Sequence, residues 1–409
     1  MNRVVVTGMG ALTPIGNSVK EYWTNAVKGV NGIDVITKFD AADSKYKFAG
    51  EVKNVDLASA IEKSQLRKMD LFSQYAVYAA KEAVEDSGIL GNVDPFRFGV
   101  YFGSGVGGFD TFTTEHTTFL EKGPRRVSPL FIPKMIYNIA AGNIAITFKA
   151  KGANMAVSTA CATGSTAIGE AYRAVKHGYA DAVICGGSEA AVNAFTVAGF
   201  GQCKALSAAE TKDTASVPFD KRRQGFVIGE GAGALIVENY EHAKARGAKI
   251  YAEIVGYGST CDAYHVTSPD PEAECTAAAV KEALKDIEVP DPSKIYVNAH
   301  GTSTHLNDLT ETKTFKNAFG DDAYKLHISS TKSMTGHMLG AAGAVEAITA
   351  INALRNNIVP PTINLIEPDE ECDLDYTPNN AVETEIELAI STNLGFGGHN
   401  ACLAFKAVE

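Results

Sequence analysis

The sequence predicts an α/β fold made of two similar halves, and two observations carry that prediction. Segments rich in Val, Ile and Tyr alternate along the chain with Ala-rich stretches of helical length, the pattern of a buried, largely parallel sheet covered by helices. The same succession of strand, loop, strand-to-helix junction and glycine-ended strand also occurs twice, once before Arg246 and once after Lys249.

In the first half Arg3–Thr7, Gly99–Phe102, Asn154–Ser158 and Ala182–Cys185 read as strands, and Gln74–Asp86 and Ala162–Lys176 as helices. The repeated features there are the loop Gly103–Gly108, the junction Ser158–Gly164 and the pair Gly186-Gly187. In the second half Tyr251–Val255, Ile295–Asn298, His327–Ser330 and Glu387–Ser391 read as strands, and Ala273–Asp286 and Ala341–Leu354 as helices. The matching features are His300-Gly301-Thr302, Ser329–His337 and Gly395–Gly398. The expected units are residues 1–248 and 249–409, with their loops converging at strand C-terminal ends, where open α/β sheets place ligands.

The 409 residues, 45% hydrophobic and 21% charged, fit a globular chain. A net charge of -11 and a pI near 5.4 argue against nucleic acid as the main partner, because phosphate binding needs a dominant basic surface. Glu62–Lys68 and Gly123–Arg126 are basic islands in this acidic chain, suited to a small acidic partner or to a solvated face. No apolar run reaches the ~18 to 20 residues of a membrane helix, and the N-terminus enters a strand without a signal-peptide pattern; the expectation is a cytoplasmic protein without membrane insertion. Seven cysteines without a CxxC pair make a disulfide framework or a zinc site a poor reading.

Cys161 lies in AVSTACATGS, where a β-prone run switches to small, helix-compatible residues. At such an elbow the partial positive charge of a helix N-terminus would lower the thiol pKa, and its free N–H groups would hold an oxyanion. Taken alone, a small buried cysteine is the commoner reading. His300 ends the strand IYVNA and opens a polar loop, a position that suits either function or a satisfied turn histidine. His337 precedes an Ala-rich helix, whose N-terminus should keep the ring neutral with an N–H to donate. Lys332 and Glu346 flank it and are placed to pair, either to brace the turn or to move protons. In NLGFGGHN, Phe396 among glycines reads as a movable gate with its N–H facing the thiol, or as a core residue at a strand end. Gly103, Gly105 and Gly108 spell G-x-G-x-x-G after a strand, but not after the first strand, and the polar, Thr-rich Asp110–Thr118 follows, so a dinucleotide site is disfavoured.

Together, TACATGS around Cys161, NAHGTST ending at Thr304, KSMTGHMLGAAGAVE ending at Glu346 and NLGFGGHN ending at Asn400 resemble the motifs of the β-ketoacyl-acyl-carrier-protein synthases. The resemblance keeps the family's order, runs from VVVTGMG to the last strand and is closest to the elongating members of bacterial fatty-acid synthesis. It implies a thiolase-like fold, two α/β halves in a five-layered αβαβα arrangement, normally a homodimer. It also implies an acyltransferase that condenses an acyl group on Cys161 with malonyl-acyl-carrier protein, giving 3-oxoacyl-acyl-carrier protein and CO2 in fatty-acid chain elongation.

By the same match His300 and His337 bind the malonyl thioester and promote decarboxylation, with Lys332 and Glu346 in support. Backbone N–H groups of Cys161 and Phe396 form an oxyanion hole, and Thr302 and Thr304 touch the pantetheine arm. Val106, Phe200 and Phe396 line or gate an acyl pocket. Lys63, Arg67, Lys68, Arg125, Arg126 and Lys204 are candidates for docking the acyl carrier protein. Thiolate attack on a thioester gives ping-pong catalysis, and two neutral imidazole donors stabilise the enolate left by CO2, so no metal or redox cofactor is called for.

Two residues depart from the family pattern, His305 where Pro is usual and His399 where Thr is usual, and altered local packing is the expected result. A non-decarboxylating thiolase would want a second cysteine near the C-terminal glycine loop, a starter-type synthase an Asn in place of His337, and a chain-length partner subunit no nucleophile. The loop offers His399 and Asn400 with Cys402 beyond, while His337 and Cys161 are present.

Overall fold

Ten strands form one hydrogen-bonded sheet in the computed structural model, which describes residues 1–408. They are β1 (Val4–Leu12), β2 (Phe98–Gly103), β3 (Asn154–Met155), β4 (Ala182–Glu189), β5 (Gly231–Asn239), β6 (Ala252–Cys261), β7 (Ile295–Asn298), β8 (His327–Ser329), β9 (Leu388–Gly395) and β10 (His399–Lys406). Their order is β8-β7-β9-β10-β6-β1-β5-β4-β2-β3. Outward from the middle, one side runs β1-β5-β4-β2-β3 and the other β6-β10-β9-β7-β8, the same order in both. The joint is short: β1 meets β6 antiparallel only at Val5 opposite Glu253 and Val6 opposite Ala252.

Alternation along the strands sorts side chains between separate cores. Val183, Cys185, Leu235 and Val237 point into a central core, whereas Ala182, Ile184, Ala234 and Ile236 point into an outer core with Phe72, Tyr75 and Ala76 of the helix Leu71–Ser87. On β10, Ala401, Leu403 and Phe405 face the central core, and Cys402 and Ala404 face Ala279, Val280 and Ala283 of the helix Glu274–Leu284. The centre is filled by two helices, Thr163–Lys176 and Ala342–Asn356. The second is buried from Ala342 to Leu354 and touches strands of both sides. The result is the αβαβα layering expected from the resemblance.

Each central helix is launched in the same way. A 3-10 turn, Ala160–Ala162 or Leu339–Ala341, precedes it, entered through a left-handed residue, Ala160 at φ 49° or Leu339 at φ 47°. The two helices meet at reciprocal glycines: a Cβ on Gly164 would lie 2.5 Å from Ala344 N, and one on Gly343 2.6 Å from Ser165 N. Only glycine permits that approach.

Several elements differ from expectation. The strand expected over Asn154–Ser158 keeps only Asn154–Met155, because pairing with β2 ends at Met155 and the chain then turns into the elbow. The helix expected over Gln74–Asp86 spans Leu71–Ser87, since Asp70 caps Phe72 N and left-handed Gly88 closes the end. The Thr-rich stretch after Gly108 is a helix, Phe109–Lys122, with no buried residue. Helices Ile139–Phe148 and His305–Phe319 and strand β5 were not anticipated. Among the described residues no helix is long and apolar enough to cross a membrane.

Candidate active site

Cys161 occupies the middle of the first elbow, and its side chain borders a cleft of about 310 Å³ that His300, His337, Thr302, Thr304, Lys204 and Phe396 also line. The Phe396 N–H is directed at the sulfur. The close fit depends on Gly395, where a Cβ would meet Thr159 O at 2.6 Å and Cys161 N at 3.2 Å. The expected low thiol pKa is corrected. Burial pushes Cys161 up to about 12, against the Lys332 ammonium and the Phe396 N–H, which pull it down. Desolvation of an anion among apolar neighbours outweighs one helix turn's worth of dipole.

His300 and His337 are both buried, with ring centroids 5.2 Å apart and planes perpendicular. Their ligand atoms and the Cys161 sulfur all lie within 4.8 Å of one another. Hydrogen bonding fixes both tautomers. His300 Nδ1 faces two donors, Lys332 Nζ at 3.3 Å and Asn393 Nδ2 at 3.2 Å, so it accepts and the proton sits on Nε2. His337 Nδ1 accepts from Leu339 N at 3.3 Å, so its Nε2 also carries the proton, and that buried atom has no partner among the described residues. Both rings are held neutral. Burial, then Lys332, then His337 keep His300 well below the ordinary histidine range, and burial followed by Lys332 does the same for His337. The expected neutrality of His337 therefore comes from burial and a neighbouring cation rather than from the helix end. Three such atoms have metal-like spacing, but two of them are N–H donors, and freeing them to ligate would move protons onto Nδ1 atoms that already accept.

Lys332 and Glu346 form a buried ion pair. Glu346 also accepts from Asn393 Nδ2 at 2.6 Å, and Asn393 Oδ1 accepts from Ser165 Oγ of the nucleophile's helix. A second buried carboxylate, Glu311, takes His300 N at 2.5 Å, Gly301 N at 2.7 Å and Thr392 Oγ1 at 2.8 Å, and burial pushes its pKa up to about 7. Neither Asn393 nor Glu311 was singled out from the sequence. Asn393 opens the NLGFGGHN motif, so the motif was a signal for it; Glu311 lies within a polar helix that carried none.

Thr302 and Thr304 stand together at the cleft with hydroxyls 3.0 Å apart. Val106 and Phe200 do not line the open cleft; they pack with Cys161 in an apolar cluster that holds Leu206, Phe226, Ile228 and Leu339. The Phe200 ring lies 5.5 Å from that of Phe226 and 6.5 Å from that of Phe396. The G-x-G-x-x-G loop does curl around a carboxylate, but it is the protein's own: Glu189 accepts from Gly105 N and Val106 N. His305, at the start of its helix, borders the cleft with its Nδ1 3.3 Å from an Arg223 nitrogen. Lys63, Arg67 and Lys68 are exposed on and beside the helical turn Lys63–Leu66, and Arg125 and Arg126 on the turn Pro124–Arg126. Lys204, also exposed, is the one of the six that borders the cleft.

Comparison with known proteins agrees in family. Residues 1–243 match the family described as Beta-ketoacyl synthase, N-terminal domain, and residues 251–366 match Beta-ketoacyl synthase, C-terminal domain. A 3-oxoacyl-[acyl-carrier-protein] synthase 2 of Staphylococcus aureus is 52% identical over 408 residues, covering 100% of this chain and 99% of the relative. A protein of the same description from Synechocystis is 50% identical over 409 residues, covering 100% and 98%. Among solved structures, a beta-ketoacyl synthase from Burkholderia phymatum superposes with a TM-score of 0.91 at 36% identity, each chain covered over 100%. A ketosynthase in complex with a type II PKS acyl-carrier protein gives 0.91 at 34%, again over 100% of each chain.

Proposed function

The chain belongs to the β-ketoacyl synthase family and is a condensing acyltransferase of fatty-acid elongation, and we propose that it works by acylation of Cys161 followed by decarboxylative attack of a malonyl-derived carbon. The observation that carries this reading is the pair of buried, neutral imidazoles whose Nε2–H groups are left to donate beside the thiol.

In the first half-reaction the Cys161 sulfur attacks the thioester of an acyl carrier protein, and the thiol proton departs with the carrier's sulfur. The tetrahedral oxyanion is held by the N–H groups of Cys161 and Phe396. In the second, the malonyl thioester oxygen accepts from Nε2–H of His300 and of His337. Its C–C bond breaks, CO2 leaves, and the negative charge moves onto that oxygen. The enolate carbon then attacks the acyl carbon, and the C–S bond to Cys161 breaks with its electron pair leaving on sulfur. The thiolate takes up a proton from solvent to restore the thiol, and 3-oxoacyl carrier protein departs. Lys332 and Asn393 keep His300 in its donor tautomer, and Glu346 binds both. Thr302 and Thr304 hold the pantetheine arm, and Val106, Phe200 and Phe396 shape the acyl site.

The carrier protein docks on Lys63, Arg67, Lys68, Arg125, Arg126 and Lys204; the six cations, in a chain of net charge -11, suit an acidic partner. We further take residues 1–248 and 249–409 as the two units, a division that the repeated strand order supports. The working state is a homodimer, supported by the family resemblance and by the exposed edge strand Asn154–Met155 at the end of the sheet. The place of action is the cytoplasm, where seven unpaired thiols stay reduced.

Incubation with acyl carrier-protein thioester should add one acyl mass to Cys161, and malonyl carrier protein should then discharge it as 3-oxoacyl product. Absence of the adduct, or full condensation by Cys161→Ala, overturns the mechanism.

A further inference from the structure

Glu189 ends strand β4 beside the loop that follows β2, and its side chain is fully buried with no cation paired to it among the described residues. Its carboxylate takes four donors. Oε1 accepts from Ser104 Oγ at 2.8 Å and Val106 N at 3.2 Å; Oε2 accepts from Gly105 N at 2.7 Å and Gly340 N at 2.9 Å. Three of these donors belong to the loop that carries Val106, part of the apolar wall around Cys161. The fourth belongs to the second elbow, where Leu339 N, one residue earlier, fixes the ring of His337.

A buried carboxylate without a cation is a costly way to fill space, since an apolar side chain of similar size would carry no desolvation penalty. Burial pushes this one up to about 7 even against its four donors. What the carboxylate provides, and an apolar group cannot, is a rigid connection between two loops from opposite halves of the sequence. One loop meets the acyl chain and the other aims a donor at the second substrate.

We propose that Glu189 is a positioning residue that sets acyl-chain selectivity, by locking the Val106 loop and the His337 turn to a single carboxylate. The inference rests on the reading of Cys161 as the acylated residue. Glu189→Gln tests it closely, because the amide fits in either orientation but always sets an NH2 against a backbone N–H. On one side it opposes Val106 N, on the other Gly105 N and Gly340 N. In either orientation at least one backbone donor of the lock loses its acceptor.

The experiment measures single-turnover acylation of Cys161 by short, medium and long saturated acyl carrier-protein thioesters, followed by intact-protein mass spectrometry, in wild type, Glu189→Gln and Ser104→Ala. The wild type must form the adduct; if it does not, the covalent mechanism fails and not this proposal. In Glu189→Gln the ratio of rates between the best and worst chain lengths should fall by about tenfold, the effect of about one lost charged hydrogen bond. Ser104→Ala, which removes one side-chain donor and leaves the backbone N–H groups, should flatten the ratio in the same direction by less. A uniform fall at every chain length with the ratio unchanged would mean that Glu189 only supports folding, and overturns the proposal. Should Glu189→Gln not fold, an unchanged ratio in Ser104→Ala overturns it equally.

Discussion

Lys332 is 1% and Glu346 3% exposed at the side chain, so their ion pair can be removed in two energetically different ways. In Lys332→Met the Glu346 carboxylate keeps, among the described residues, only Asn393 Nδ2, at 2.6 Å, as a donor. Breaking a buried pair from one side costs about 3–5 kcal/mol, because an uncompensated charge stays inside. In Lys332→Met/Glu346→Gln both charges go, the volume is kept and residue 346 still offers an oxygen to Asn393, so stability should return to within about 1 kcal/mol of wild type. The chemistry should not return with it. In both variants His300 Nδ1 has lost the ammonium at 3.3 Å and retains Asn393 alone. A hydrogen bond to a charged group is worth about 1.5–3 kcal/mol, which corresponds to about ten- to a hundredfold in rate. The assay pairs the urea unfolding midpoint with CO2 release from malonyl carrier protein by acylated enzyme. Recovery of CO2 release in step with stability in the double variant would refute the claim that Lys332 acts through the His300 tautomer.

Because Cys161 is pushed up to about 12, its alkylation by iodoacetamide should climb with pH through 8 and 9 without a plateau, by about tenfold per unit; a plateau near neutrality would refute the assigned burial. His300 is held well below 6.5 in the fold, so the unfolded chain binds its proton first and stability from this group, complete above about 6.5, is lost as pH falls below that value. Glu82, Glu189 and Glu311, raised to about 7, act with the opposite sign, so the slope is read as wild type minus His300→Asn in urea midpoints, and a difference independent of pH counts against it. Gly395→Ala brings a Cβ to 2.6 Å from Thr159 O and must displace the Phe396 N–H; acylation should slow by about a hundredfold, and a rate near wild type would remove Phe396 from the oxyanion site. Reversing Lys63, Arg67 and Lys68 to Glu should raise KM for carrier-bound substrate, more at low salt than at high, with kcat retained; an unchanged KM would clear that face of docking.

The fold was legible where a strand is a short run of mostly apolar, β-prone residues buried on both faces of the sheet, as in Ala182–Cys185 and Ile295–Asn298, and where a helix is Ala-rich and buried, as from Ala342 onward. It was illegible where packing demands residues that read as breaks. Strand β5 begins Gly231-Ala232-Gly233 because a Cβ on Gly233 would lie 2.8 Å from Ala344 C in the central helix. The helix Phe109–Lys122 hides behind threonines whose hydroxyls bond back to the carbonyl four residues earlier, Thr117 to Thr113 and Thr118 to Thr114. At the site, residue types and motifs pointed to Cys161, His300, His337, Lys332 and Glu346, which the fold gathers. The thiol's pKa direction was misjudged because a helix terminus can be seen in a sequence and the depth of a thiol cannot. Asn393, Glu311 and Glu189 act by holding main-chain groups or other side chains in place, and that kind of service depends on distance in space rather than on spacing along the chain.

The paired elbows bear on stoichiometry. Gly340 stands in the second elbow where Cys161 stands in the first, with the same left-handed approach and the same helix to follow. Yet a Cβ on Gly340 would lie 2.3 Å from Gly105 N and 2.9 Å from a Glu189 oxygen, so the second position is closed to any side chain. A duplicated architecture thus supports one covalent attachment point per chain. Packing enforces that count, and no replacement of Gly340 by a nucleophile can double it.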